Sequence, residues 1–116
     1  MRIELIAFVT GAALACVIAP SVAQNNVVPV TIDNFVFSPE RVTVKVGTTV
    51  IWTNRDDIPH TVAAKDRTFK SKVMDTDESF AFTFSTSGEY TYFCSLHPHM
   101  TGTIVVEATT GSAAPQ

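Results

Sequence analysis

The sequence is poor in cysteine and histidine: it has Cys16 and Cys94, and His60, His97 and His99. Two cysteines exclude a disulfide-dense scaffold, and three histidines exclude any site built on four imidazoles. An excess of positive charge is also missing. The net charge is −3, so no basic field points to nucleic acid. Leucine is nearly absent beyond residue 23, where Leu96 stands alone. Helix-period patterns are missing with it. With 116 residues the chain has room for one domain.

The one long apolar run lies at the start. It is uncharged from Leu5 to Ile18, shorter than the roughly 20 residues a membrane span needs. Arg2 precedes it and Ser21-Val22-Ala23 follows it. This order predicts a secretory signal peptide over residues 1–23, cleaved between Ala23 and Gln24. An uncleaved anchor and lipidation at Cys16 stay open as alternatives. In Ala13-Leu14-Ala15-Cys16 the Leu stands one place away from where a lipobox has it. The reading leaves a working domain over 24–107 and a small, polar tail over 108–116. It also leaves Cys94 alone in a compartment where cysteines usually pair, which calls for a reason.

What the remaining chain does have is β-branched residues. Beyond residue 23 there are 12 Val, 4 Ile and 15 Thr. Such side chains suit a pleated surface better than a helix. Period-2 alternation predicts strands over Val27–Ile32, Asn34–Phe37, Arg41–Val46, Thr49–Thr53, His60–Ala64, Phe80–Phe84, Glu89–Cys94 and Thr101–Glu107. Turn residues separate them every 8–12 residues, as in an antiparallel sandwich or barrel with Greek-key connections. The fold class is therefore all-β with about eight strands. Trp52, Phe80, Phe82, Phe84, Tyr90, Tyr92 and Met74 are expected to pack the core. Residues 65–74 are irregular. Lys65, Arg67, Lys70 and Lys72 read as a solvated face, with a partner-docking patch as the alternative.

The chemistry concentrates in Cys94-Ser95-Leu96-His97-Pro98-His99-Met100, which holds a thiol, two imidazoles and a thioether. His60 lies far upstream, at a strand end that a sandwich can bring alongside. Thiolate and thioether are soft ligands, and imidazole suits copper, zinc and iron. Zinc makes little use of a thioether, whereas copper accepts all three donor types. Two His and one Cys in a plane, with a distant axial Met, form the blue-copper electron-transfer arrangement. A metal-bound thiolate would also explain why Cys94 stays unpaired.

These residues resemble those of the cupredoxins, and within that family the amicyanins. The resemblance rests on Pro59-His60 and on Cys94-x2-His97-x2-Met100, whose two short gaps match the amicyanin loop. Ser38-Pro39-Glu40, Val44-Lys45-Val46-Gly47 and Val50-Ile51-Trp52-Thr53-Asn54 extend it from about Val30 to Glu107. The resemblance implies a Greek-key β-sandwich with one type 1 copper held by His60, Cys94, His97 and Met100. It further implies a monomeric periplasmic electron carrier that cycles Cu(II)/Cu(I). Its donor would be an amine dehydrogenase and its acceptor a c-type cytochrome. Two positions depart from the family. Thr61 stands where many relatives have an Asn that ties the two ligand loops together, and His99 stands at an aromatic position, directed away from the metal.

Other functions compete with electron transfer. A periplasmic copper chaperone or storage protein would need an accessible Cu(I) site, and beyond residue 23 there are only Met74 and Met100. A copper oxidase or nitrite reductase needs further histidines, so an enzyme is not expected. A binuclear copper site needs two bridging cysteines. A metal-free adhesion-like sandwich is the remaining alternative.

Overall fold

The computed structural model describes residues 26–108. The leader expected over 1–23, with Cys16, and nearly all of the expected tail lie outside these residues. Eight strands follow in order: β1 (Val27–Asp33), β2 (Val36–Ser38), β3 (Arg41–Lys45), β4 (Thr49–Asn54), β5 (Ala63–Ala64), β6 (Ser79–Thr83), β7 (Gly88–Cys94) and β8 (His97–Glu107). They form two four-stranded sheets, β2-β1-β4-β6 and β3-β8-β7-β5. No helix among the described residues is long and apolar enough to cross a membrane.

The alternation in sequence becomes two facing apolar surfaces. β1 buries Val30 and Ile32, and β4 buries Val50 and Trp52. β8 buries Met100, Ile104 and Val106 from the opposite sheet. Trp52 lies at the centre, with Phe69, Phe80 and Tyr92 at ring distances of 5.5, 5.6 and 5.4 Å. Burying a large apolar side chain contributes about 1.5–3 kcal/mol, so these rings dominate the cohesion of the sandwich. Phe84 and Met74 are buried as expected, while Phe80, Phe82 and Tyr90 are partly buried against the same cluster. Among the described residues, the Trp52 Nε1 and the Tyr92 hydroxyl find no hydrogen-bond partner. Burial pushes the Tyr92 hydroxyl up to about 12, against a smaller opposing pull from Trp52.

Three features differ from the expectation. First, the sheets are mixed rather than purely antiparallel: β1 pairs in parallel with β4, and β3 with β8. Alternation specifies which face is buried but not the direction of the neighbouring strand. Second, β5 is reduced to Ala63–Ala64, because His60 bridges to Met74 through backbone bonds of 3.1 and 2.9 Å. Third, β8 starts at His97 rather than Thr101, directly after the two-residue tip Ser95-Leu96. The irregular stretch after β5 also contributes Phe69 to the core, where it is 4% exposed.

The parallel register of β1 and β4 positions the functional end. Ile32 lies beside Asn54, so both strands finish at the same pole. There the β1–β2 turn meets the loop after β4, and the β7–β8 hairpin closes over them.

Candidate metal centre

Three segments supply the site. The β7–β8 hairpin supplies Cys94 at the end of one strand and His97 at the start of the next. Its register jumps from Phe93 opposite Thr101 to Cys94 opposite His97. Pro98, His99 and Met100 are thus extra residues on one side of the ladder. A bulge of this kind bends the strand and re-aims its side chains. Met100 is buried at 6% exposure, while Pro98 and His99 are exposed.

The loop after β4 supplies His60, which is fully buried. Asn54, also fully buried, shapes that loop. Its amide donates to the carbonyls of Ile58 at 2.9 Å and Met74 at 3.1 Å. Its Oδ1 accepts the Asp56 amide at 2.9 Å. His60 Nε2 lies 2.8 Å from Asp56 Oδ2, so with the ring neutral its proton sits there and Nδ1 is free as a donor atom.

Cys94 Sγ lies 3.7 Å from His60 Nδ1 and 3.7 Å from His97 Nδ1. Sγ and one nitrogen of each ring all lie within 4.8 Å of one another. A metal about 2.3 Å from sulfur and about 2.0 Å from nitrogen, in a trigonal plane, would set S and N about 3.7 Å apart. The three donors therefore stand at ligand spacing. One soft sulfur and two imidazoles suit copper, and Met100 is buried in the same hairpin and borders the hollow beside the site.

The sulfur has polar company besides the rings. The Thr61 amide points at Cys94 Sγ from 3.3 Å, and the Thr61 hydroxyl stands 3.8 Å from it. That hydroxyl also accepts the Ser95 amide at 2.7 Å and meets the Ser95 hydroxyl at 2.8 Å. Thr61 thus ties the His60 segment to the Cys94 hairpin.

Two residues at the site were not singled out in the sequence. The β1–β2 turn places Asn34 and Phe35 at φ 56° and 62°, the left-handed conformation of a two-residue hairpin turn. That conformation is uncommon for a bulky aromatic residue. Both amides donate to the Asp56 carboxylate, at 2.6 and 2.9 Å, which holds the turn. The Phe35 ring then stands edge-on to His60 at 5.3 Å and to His97 at 5.0 Å. Burial would raise the Asp56 carboxyl, but the Phe35 and Asn34 amides and His60 together hold it below the usual value. The sequence signal for Asp56 is its place four residues before His60. Phe35 has no such signal, because its role depends on where β2 turns back.

Outside the donors is a hollow of about 400 Å³, lined by Phe35, Leu96, His97, Pro98, His99 and Met100. His97 is half-buried in its lining, and Phe35 and Leu96 are 42% and 48% exposed. His99 is on this rim and outside the three-donor group.

Comparison with known proteins gives one consistent result. Residues 5–106 match the model of a cupredoxin-like domain. The amicyanin of Paracoccus versutus is 36% identical over 95 residues, which is 78% of this chain and 72% of that protein. A purple cupredoxin from Nitrosopumilus maritimus superimposes with a TM-score of 0.67 at 32% identity, covering 69% of this chain and 99% of the other. A Cu(I) form of an amicyanin variant superimposes with a TM-score of 0.66 at 35% identity, covering 75% and 87%.

Proposed function

The chain belongs to the cupredoxin-like family, and on that premise we propose that it is a periplasmic carrier of single electrons. Its cofactor is one type 1 copper ion, which supplies a Cu(II)/Cu(I) couple. The observation that carries the reading is the buried Cys94 sulfur with a free imidazole nitrogen 3.7 Å away on either side.

Each residue then has a task. His60, Cys94 and His97 would hold the ion, with Met100 as a fourth donor. Asp56 fixes the tautomer and plane of His60. The Thr61 amide withdraws electron density from the Cys94 sulfur, which favours the reduced form. Cys94 and His60 are fully buried and held by hydrogen bonds from Thr61 and to Asp56, which would limit their movement when the ion changes charge. His97 would be the contact to the outside, since it is half-buried and lines the apolar hollow. Leu96, Pro98 and Phe35 give a partner a surface that is easily desolvated and leaves again without breaking ion pairs.

The amicyanin relatives support redox proteins as partners, and the resemblance implies an amine dehydrogenase as donor and a c-type cytochrome as acceptor. The apolar leader at residues 1–23 supports placement in the periplasm.

The test is direct. Adding one equivalent of Cu(II) to the purified protein should give an intense visible thiolate-to-copper band and a reversible potential. Cys94→Ala should abolish the band. A band that survives in that variant overturns the assignment, and a colourless or rapidly reduced product in the unmutated protein favours a chaperone or store.

A further inference from the structure

A second cavity, of about 550 Å³, lies on the other side of the hairpin tip from the apolar hollow. Its lining includes Ala63, Ala64, Phe69 and Phe93, with Lys65, Arg67, Lys70 and Ser95 around them. Ser95 borders this cleft and its neighbour Leu96 borders the hollow, so Cys94 and its hairpin stand between the two.

The charge around the cleft departs from the rest of the molecule. Residues 65–72 hold Lys65, Arg67, Lys70 and Lys72 against Asp66, a sum of +4 − 1 = +3. The other residues beyond 23 hold Arg41, Lys45 and Arg55 against nine carboxylates, a sum of 3 − 9 = −6. All four cations of the segment are exposed, and none forms an ion pair among the described residues. Arg41 and Arg55 elsewhere are paired, with Glu89 and Asp77. Asp66, the one acid present, is engaged by the Thr68 amide at 2.9 Å.

The segment is also held in place. Phe69 is anchored in the core. The Ala64 amide donates to the Phe69 carbonyl, Arg67 to Ala64, Lys65 to Thr91 and Ser71 to Val62, at 2.8–2.9 Å. A backbone already fixed beneath the cationic side chains spares the entropy of ordering the segment on binding, and an apolar floor adds contact area. Unpaired charge on a molecule of opposite net sign has a clear physical effect: it selects which face an anionic partner meets first.

We propose that this cleft is a docking surface for an acidic patch on a protein redox partner, separate from the apolar surface over His97. The proposal rests on the copper-carrier reading and adds to it a second approach, on the Cys94 side of the metal. One electron passes between carrier and partner there, with no bond made or broken and no proton moved.

The experiment uses the reduced, copper-loaded protein and hexacyanoferrate(III) as an anionic one-electron oxidant. One electron leaves the protein and the iron(III) probe becomes iron(II). The visible band is recorded on the Cu(II) form before reduction, so a failure of the copper-carrier reading shows as no band and no oxidation. With net charge alone in control, two anions would react faster as salt is added. Docking at the cleft predicts the reverse slope. Lys65→Glu/Lys70→Glu should slow the reaction about tenfold at low ionic strength and invert the slope. Arg41→Glu/Lys45→Glu, an equal charge change at the opposite edge of the same sheet, should slow it by less than about twofold. An octaglutamate peptide, standing in for an acidic protein surface, should inhibit the unmutated protein and the Arg41/Lys45 variant but not the Lys65/Lys70 variant. Equal slowing in both variants, a rate that rises with salt in the unmutated protein, or no effect of the peptide overturns the proposal. Sedimentation of the unmutated protein at low salt covers the remaining occupant: self-association abolished by Lys65→Glu/Lys70→Glu would assign the cleft to a second copy and overturn the partner.

Discussion

At the scale of single residues, Asp56 joins two features that are far apart in sequence. It orients His60 and holds the two left-handed residues that carry Phe35. In Asp56→Asn one acceptor oxygen remains, and the new amide meets an N–H. Loss of a charge-assisted bond of this kind should cost about 2 kcal/mol, read as a lower unfolding midpoint in urea. An unchanged midpoint would remove Asp56 from this role. The pH dependence follows from the lowered carboxyl. The ionised form is the one the fold favours, so its stabilisation is present above the unfolded-state value near 3.8 and lost as pH falls through the lower folded value. Acid should therefore narrow the difference between Asp56→Asn and the unmutated protein, and a constant difference from pH 6 to pH 3 would contradict the account. Cys94 and His97 stood out in the sequence because rare donor types lie at short spacing, and His60 by its place at a strand end; the structure brings these three together, while Met100 is buried in the same hairpin. Asp56 and Phe35 did not stand out, since a carboxylate in a polar loop and an aromatic residue beside a turn carry no such mark. The Thr61 departure acquired its meaning only with the Ser95 and Cys94 contacts in place.

At the scale of elements, the β7–β8 hairpin combines a tight ladder with a local break. The break at Phe93 and Cys94 lets His97 and Met100 face inward while Pro98 and His99 face out. The regular part depends on Gly102, which lies opposite Tyr92. A Cβ at Gly102 would fall on the Tyr92 ring and hydroxyl. Tyr92 is fully buried, with Phe37 at 4.7 Å and Trp52 at 5.4 Å, so its ring has nowhere to move. Gly102→Ala should therefore cost about 1–3 kcal/mol in a urea titration, and a neutral result would mean the hairpin yields. The strands themselves were readable from alternation, with boundaries within a few residues for most. Strand direction was not readable. The parallel neighbours β1 and β4 are far apart in sequence, and no side-chain pattern records which way a neighbour runs. β5 was overextended because His60–Ala64 alternates like a strand, while the His60 backbone is engaged by Met74.

At the scale of the whole molecule, the metal should act as a clamp between segments that are distant along the chain. His60 and Cys94 come from opposite sides of the sequence stretch that includes Phe69 and β6. An ion bound only by the folded form stabilises it by about 4 kcal/mol at a thousand times its dissociation constant. For a domain of this size that is worth on the order of 15–30 °C in Tm. Copper loading should raise the Tm of the unmutated protein by more than about 10 °C and that of Cys94→Ala far less. Equal shifts in both would place the ion elsewhere. The sheet edges have one more consequence. β2 and β5, two of the four outer strands, have three and two residues. β3 turns Arg41, Thr43 and Lys45 outward, and β6 turns Ser79, Ala81 and Thr83 outward. None offers a long apolar template to another chain. A shuttle that works by brief collisions gains throughput from being crowded, and these blunted margins let many copies be concentrated without stacking into fibres.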